Sequence, residues 1–507
     1  MSTVFGRFIA AAMLFIFLAG CAGPAAAPTP SVPPTISIPA PAMTLPAPSV
    51  TLAATQPQIP AGAMVLDLQA AGTAAPDEYG SNSWWSDQDA ELWQARHAQL
   101  GVRVMRIPAA QSLFEPVNDD DDPTHINPDG FLFRAPIPWF GRTLTLEKWL
   151  LSLKAQDITL MLHVPYLASW LSRHPADALS SPYPPADLAE YQEYIYALLA
   201  FVVDDLGYDP AKVILEPVNE PDLGCGQDAN VSCFWRDWQE SDLLAVLQSA
   251  RRAAEEVDPA IRLVGVSECC GTQWTERLAT NPETRDLLDG YSYHKYVQGY
   301  DYQDLIARGQ RLLAYGKPVY INEYGSTQFW SDGIDGALWH ARLLPKVFAA
   351  GINPLQYPVA EFPGMHAGYN NLGLFQDWDG DFQIKPAYWV YTHFYRLFGG
   401  GTILAHQEIG GAEVLAVKNS GGGEDWAAVW IVTGGPEMLA PVTLAFQNLP
   451  QAEMRLSVLN ALDEPGPLTE QAVTGQATIF EYMPQPNAAV VVLLTGPDSR
   501  LLATMQP

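Results

Sequence analysis

Positive charge is scarce in this chain. Lys and Arg number 27 against 56 Asp and Glu over 507 residues, a net charge of −29. That balance excludes a nucleic-acid partner, since such affinity comes from neutralising phosphates with Lys and Arg. It otherwise bears on solubility rather than on fold. No glycine-rich phosphate loop follows the first strand-like run, so the fingerprint of a dinucleotide site is missing. Cysteine is sparse as well, with five residues, and their spacings match neither a zinc finger nor a zinc ribbon. The acidic run Asp119, Asp120, Asp121 and Asp122 lacks the spaced oxygen ligands of an EF-hand and reads as a solvated loop. No metal and no cofactor is expected.

The N-terminal stretch 1–20 carries one positive charge, Arg7, ahead of an apolar run too short and weakly flanked for a membrane-spanning helix. It reads as an export signal. Its end, Leu18-Ala19-Gly20-Cys21, resembles the lipobox of bacterial lipoproteins. The resemblance implies cleavage before Cys21, acylation of its thiol, and a protein held by acyl chains on the outer face of the cell membrane. Residues 21–62 are rich in Pro, Ala and Thr, and from Pro24 to Gly62 carry no charge. A segment this poor in apolar density reads as an extended tether.

Between 63 and 400, strand-like and helix-like stretches alternate. The strand candidates are 64–68, 102–107, 158–164, 213–218, 261–266, 290–296, 318–324 and 352–359. Most are short and apolar almost without interruption, as strands buried on both faces of a parallel sheet are. The clearest helix spans 187–207, with Asp187 and Glu190 at capping-box spacing and Gly207 beyond its end. Eight such repeats predict an α/β fold, a (β/α)8 TIM barrel. A doubly wound open sheet is the alternative, and the missing phosphate loop counts against it. Over 401–507 helical periodicity stops, and runs such as 412–419, 425–433 and 488–496 alternate with turn residues, predicting a C-terminal β-sandwich.

A barrel of this kind carries its active site at the C-terminal ends of its strands. Those ends offer Arg106, His163, Asn219 with Glu220, Glu268, His294 with Tyr296, and Glu323. Glu220 ends the fourth strand candidate in 213-VILEPVNEPDLG-224, and Glu323 ends the seventh in 319-VYINEYG-325. Two carboxyls facing each other are what cleavage of a glycosidic bond needs: one protonated to give the leaving oxygen its proton, one ionised to attack the anomeric carbon. Lone strand-tip carboxylates often do no more than pair with a neighbouring base. Two of them, on strands 4 and 7 with an Asn directly before one, point to chemistry. Glu268 is assigned a structural hydrogen bond instead.

These residues are similar to those of glycoside hydrolase clan A, the 4/7 retaining superfamily, with families 39 and 5 nearest. Family 39 pairs such a barrel with a β-sandwich and includes β-xylosidases. The resemblance implies Glu220 as general acid/base, Glu323 as nucleophile and Asn219 as the ligand of the sugar 2-hydroxyl. Arg106 and Tyr296 match residues that support the nucleophile, and His163 and His294 match histidines at the tips of strands 3 and 6. One departure is the eighth strand, which offers Tyr357 where the clan has Trp, leaving the sugar open. Trp170 and Trp330 closely follow strands 3 and 7 and are the expected stacking platforms for sugar rings.

The expected function is therefore a retaining hydrolase of β-glycosidic bonds in an oligo- or polysaccharide, with β-xylosidase-like exo action preferred. Endo-acting glucanase or mannanase action and a non-catalytic carbohydrate-binding lipoprotein are the alternatives. The sequence does not fix an oligomeric state. In an exported protein the four remaining cysteines, Cys225, Cys233, Cys269 and Cys270, read as disulfide candidates. Adjacent strand-exit loops favour two cross-loop bridges, each from the first pair to the second, over a bridge between the neighbours Cys269 and Cys270.

Overall fold

The structure, a computed structural model, describes residues 49–51 and 58–505, apart from 121, 178–182, 224–236, 330–332, 362–371, 377–380, 420–425 and 435–438. The export signal, Cys21, Cys225, Cys233 and Trp330 lie outside the described residues.

Eight parallel strands close into a barrel in chain order. They are β1 (Gly80–Asn82), β2 (Val104–Pro108), β3 (Thr159–His163), β4 (Val213–Glu216), β5 (Arg262–Glu268), β6 (Gly290–Val297), β7 (Val319–Ser326) and β8 (Asn353–Gln356). Each is followed by a helix, from Ala90–Leu100 after β1 to Pro386–Phe398 after β8. Val104, Met161, Ile214, Val264, Tyr320 and Leu355, one from each of six strands, pack as a buried cluster. This is the filled interior that a barrel of eight strands requires. Helix ends follow the local chemistry. Asp187 caps Leu188–Ala200 by accepting the N–H groups of Ala189 and Glu190. Among the described residues no helix is long and apolar enough to cross a membrane.

The first strand differs from the expectation. Met64–Asp67 is not in the barrel. It pairs in parallel with Val442–Gln447, at the edge of a four-stranded sheet that also holds Ala477–Tyr482 and Ser49–Thr51. Its burial alternates, with Met64 and Leu66 inside and Val65 exposed, which is the signature of a half-covered sheet rather than of a barrel stave. The barrel begins instead at Gly80-Ser81-Asn82, which has no apolar run to betray it. Gly80 is required where it stands, because a Cβ there would lie 1.7 Å from the carbonyl oxygen of Val104 on the paired strand.

Seven strands form the second sheet, in the order Pro467–Thr474, Glu453–Asn460, Ala489–Thr495, Trp426–Thr433, Ala412–Asn419, Thr402–Ile409 and Thr73–Ala74. Three stretches from the N-terminal side of the barrel, Ser49–Thr51, Met64–Asp67 and Thr73–Ala74, thus complete the C-terminal sandwich. The boundaries read from composition, a tether over 21–62 and a barrel from 63, are corrected accordingly: the residues up to Ala74 that pair do so with the sandwich. The sandwich rests on the last two barrel helices. Trp430 donates its indole N–H to the carbonyl of Ala341 at 2.9 Å, and its ring meets those of Phe394 and Phe398 edge-on.

Candidate active site

The centre of the site is Arg106. It stands at the middle of β2, is fully buried, and spreads its guanidinium over three strands. Nε donates to Glu216 at 2.6 Å, Nη1 to Glu323 at 2.7 Å and to Asn82 at 2.8 Å, and Nη2 to the Asn219 side-chain oxygen at 2.7 Å. A planar fork of five donors suits such a junction, where an ammonium does not. Inward parity explains the partner. Val104 and Arg106 point into the barrel from β2 as Ile214 and Glu216 do from β4, so the buried charges meet. Glu216 also accepts from Ser267, Ser292 and Asn322, leaving no lone charge behind.

Glu220 and Glu323 come together above this layer. One carboxylate oxygen of each, with a ring nitrogen of His294, falls within a 4.8 Å cluster. Glu323 accepts Arg106 on one oxygen and the Tyr296 hydroxyl, at 3.2 Å, on the other. Glu220 faces His294 Nδ1 at 2.7 Å from Oε1. Burial is the main force on both carboxyls and pushes both upward. Glu220 reaches about 7, with Arg106 opposing. Glu323 is raised too, while the charges of His294 and Arg106 draw it back and that of Glu220 repels it. A guanidinium in contact favours the ionised form of Glu323, so of the two carboxyls Glu220 is the one to retain a proton. Burial lowers His294 to about 4, leaving a neutral ring. With Nδ1 protonated, His294 donates to Oε1 and leaves Oε2 to carry a transferable proton.

His163 ends β3 in the same layer. Its basicity is pushed well down by burial and by the neighbouring Arg106 and His294. Asn219, its oxygen taken by Arg106, has its amide N–H2 left to offer outward. The phenols of Tyr166 and Tyr357 are pushed upward by burial and, less, by the charges of Glu220 and Glu323. Trp170 is not drawn into this cluster: its indole N–H donates to the carbonyl of Glu115 at 3.1 Å.

Glu216, Asn82, Asn322 and Tyr166 were not singled out from the sequence. Glu216 had a legible signal, a charge at an inward position of an otherwise apolar strand. A stave of Gly-Ser-Asn gave Asn82 none.

Glu268 is buried and structural, as expected. It accepts from Thr272, Thr275, the N–H of Trp274 at 2.8 Å, and Arg308 at 3.0 Å. The disulfide expectation is corrected. Cys269 and Cys270 are bonded to each other, so neither sulfur is left for a cross-loop bridge. Asp222 gathers the two successive backbone N–H groups at 2.9 Å each, which fixes the loop with the pair side by side. Among the described residues, two oxygen-and-nitrogen or oxygen-and-sulfur clusters are compact enough to hold an ion. In one, Glu323 already carries a guanidinium; in the other, both sulfurs are spent on each other.

No protein-family profile matches the sequence, and no curated protein is significantly similar to it. Solved structures do match. A monomeric β-xylosidase from Caulobacter crescentus CB15 superposes with a TM-score of 0.63 at 15% identity, over 86% of this chain and 100% of that one. A GH39 enzyme from Xanthomonas axonopodis pv. citri gives 0.61 at 16%, over 85% and 97%. A GH30 endoxylanase from Clostridium papyrosolvens C71 gives 0.59 at 13%, over 85% and 99%. The chain thus has the fold of the GH39 and GH30 glycoside hydrolases, an eight-stranded parallel barrel joined to a β-sandwich.

Proposed function

We propose that this chain is a retaining glycoside hydrolase acting on β-glycosidic bonds of an oligo- or polysaccharide. The observation that carries the reading is the pair Glu220 and Glu323, two buried carboxyls, one in the turn just beyond β4 and one in the C-terminal half of β7, with oxygens inside one 4.8 Å cluster. Retaining enzymes hold their carboxyl groups about 5–5.5 Å apart, whereas inverting enzymes leave room for a water at about 6.5–9.5 Å. In the first step Glu323 attacks the anomeric carbon while Glu220 Oε2 passes its proton to the leaving oxygen. In the second, Glu220, now ionised, takes a proton from water as that water displaces Glu323. Arg106 and Tyr296 hold the nucleophile. Asn219 offers its amide to the 2-hydroxyl, and Tyr357 stands where the clan's tryptophan supports the sugar. Trp170 and Trp330 are retained as candidates for outer subsites. The lipobox-like Cys21 supports an exported, lipid-anchored protein, and the similarity in fold to a β-xylosidase makes exo cleavage of β-xylosides the first substrate class to try.

The test is a panel of aryl β-glycosides with proton NMR of the first-formed anomer. Retention of the β-anomer is expected. Glu323→Ala loses turnover, and azide restores it with inverted product. Glu220→Ala keeps activity on substrates whose leaving groups need no protonation. An α-anomer formed first, or the two variants behaving the other way round, overturns the assignment. Polysaccharide cleavage at internal bonds without release of terminal sugars selects the endo alternative.

A further inference from the structure

Glu220 is presented by an unusual turn. Its φ is +47°, in the left-handed region that a side chain other than glycine seldom adopts, and the N–H of Leu223 closes the turn onto the Glu220 carbonyl at 3.0 Å. Such a conformation persists where surrounding contacts over-determine it. Two residues on, Asp222 is fully buried. Its Oδ1 accepts the N–H of Cys269 and its Oδ2 that of Cys270, at 2.9 Å each, with the Thr272 hydroxyl 3.3 Å from Oδ2. The loop it grips is itself anchored. Thr272 also donates to Glu268, and Arg308, from the helix Gln303–Leu313 after β6, holds both the carboxylate and the carbonyl of Glu268. The exit turn of β4 is therefore tied to a buried block built from β5 and the helix after β6.

We propose that Asp222 is a positioning residue for Glu220. By chelating two successive amides it fixes the Glu220-Pro221-Asp222 turn, and so the distance from the protonated carboxyl to the leaving oxygen. The proposal rests on the reading of Glu220 as acid/base. Both side-chain oxygens must accept, as they do here; an amide turns a donor toward one of the two N–H groups. The covalent link between Cys269 and Cys270 is incidental to this role, because the amides that Asp222 holds belong to the backbone.

The experiment uses the full chain and a series of aryl β-glycosides of the sugar that the wild type accepts, graded in leaving-group acidity. Asp222→Asn is expected to lower kcat/KM about 100-fold for phenyl glycosides, the order of loss caused by a displacement of about 1 Å. It should lower it less than about threefold for dinitrophenyl glycosides, whose departure needs no acid. Cys269→Ser with Cys270→Ser should leave both rates near wild type. Equal loss across the series, no loss, or a loss confined to the double cysteine variant overturns the proposal. Should Asp222→Asn melt well below the wild type, Asp222→Glu keeps both acceptors and shifts the turn by one methylene; the same leaving-group dependence is expected of it. Glu220→Gln run alongside separates the two readings. If it too shows no leaving-group dependence, the acid/base assignment falls and Asp222's role with it. If Glu220→Gln shows the dependence and Asp222→Asn does not, only the positioning role is lost.

Discussion

What the site can do turns on Arg106 and on the side chains of Glu216, Asn219, Glu220 and Glu323. Asn219, Glu220 and Glu323 interrupt apolar strands at their tips, and a polar group there has few reasons to exist other than chemistry. Glu216 was passed over because it sits inside the run rather than at its end; reading the strand by parity against Ile214 would have turned it inward to meet Arg106. The pairing has a pH signature. Glu220 acts as acid only while protonated, and burial raises it to about 7. The step that needs its proton is therefore fully available below that pH and fades as pH rises through about 7. Loss at low pH comes from protonation of Glu323. A pH profile of kcat/KM on a phenyl glycoside should show an alkaline limb near 7, and on a dinitrophenyl glycoside that limb should vanish. An alkaline limb of the same position on both substrates would assign it to another group.

Among the elements, the helices announced themselves and the first stave did not. Amphipathic repeats with caps at Asp187 and Gln239 are long signals that average over local noise. A strand of Gly, Ser and Asn is held by backbone pairing, by Ser81 reaching a carbonyl of the adjacent β8 and by Asn82 reaching one of β7, none of which leaves a hydrophobic trace. Met64–Asp67 drew attention because short apolar runs look alike whether one face is covered or two. The helix Leu188–Ala200 carries an oddity. Glu193 is buried, and neither of its carboxylate oxygens has a hydrogen-bond partner among the described residues. Burial first, then the charges of Asp119, Glu190 and Glu115, raise it to about 8. A carboxyl raised on folding binds more protons in the native state than in the unfolded chain, so stability falls as pH rises from about 4.5 toward 8. Glu193→Gln should raise Tm by about 2 °C or more at pH 8.5 and change it little at pH 4. Calorimetry at the two pH values checks this; an equal shift at both would mean that packing, not charge, is responsible.

At the scale of the whole molecule, fold class and the order barrel-then-sandwich were readable because periodicity changes sharply near residue 400. What could not be read was the traffic between the two ends. Pairing between strands distant in sequence leaves no local pattern, and the cysteine bridge depended on a loop geometry set by Asp222 rather than on strand adjacency. The return of Met64–Asp67 to the C-terminal sheet makes a clear prediction. Deleting residues 1–47 should leave Tm unchanged. Deleting residues 1–75 removes the buried Met64 and Leu66 along with three edge strands. At about 1.5–3 kcal/mol for each side chain, Tm should drop by about 5 °C or more. Equal melting of the two truncations would show that these strands contribute nothing.

That same return has a consequence for biosynthesis. Asp67 leaves the ribosome long before its partner Gln447 exists, and at about 5–20 residues per second the wait is tens of seconds. The staves and helices of the barrel can assemble in that interval, while the early strands stay unpaired with their backbone groups open to any passing edge. A chain with this topology benefits from synthesis that is either brisk or chaperoned. Its sandwich cannot be moved to another protein as the C-terminal hundred residues alone.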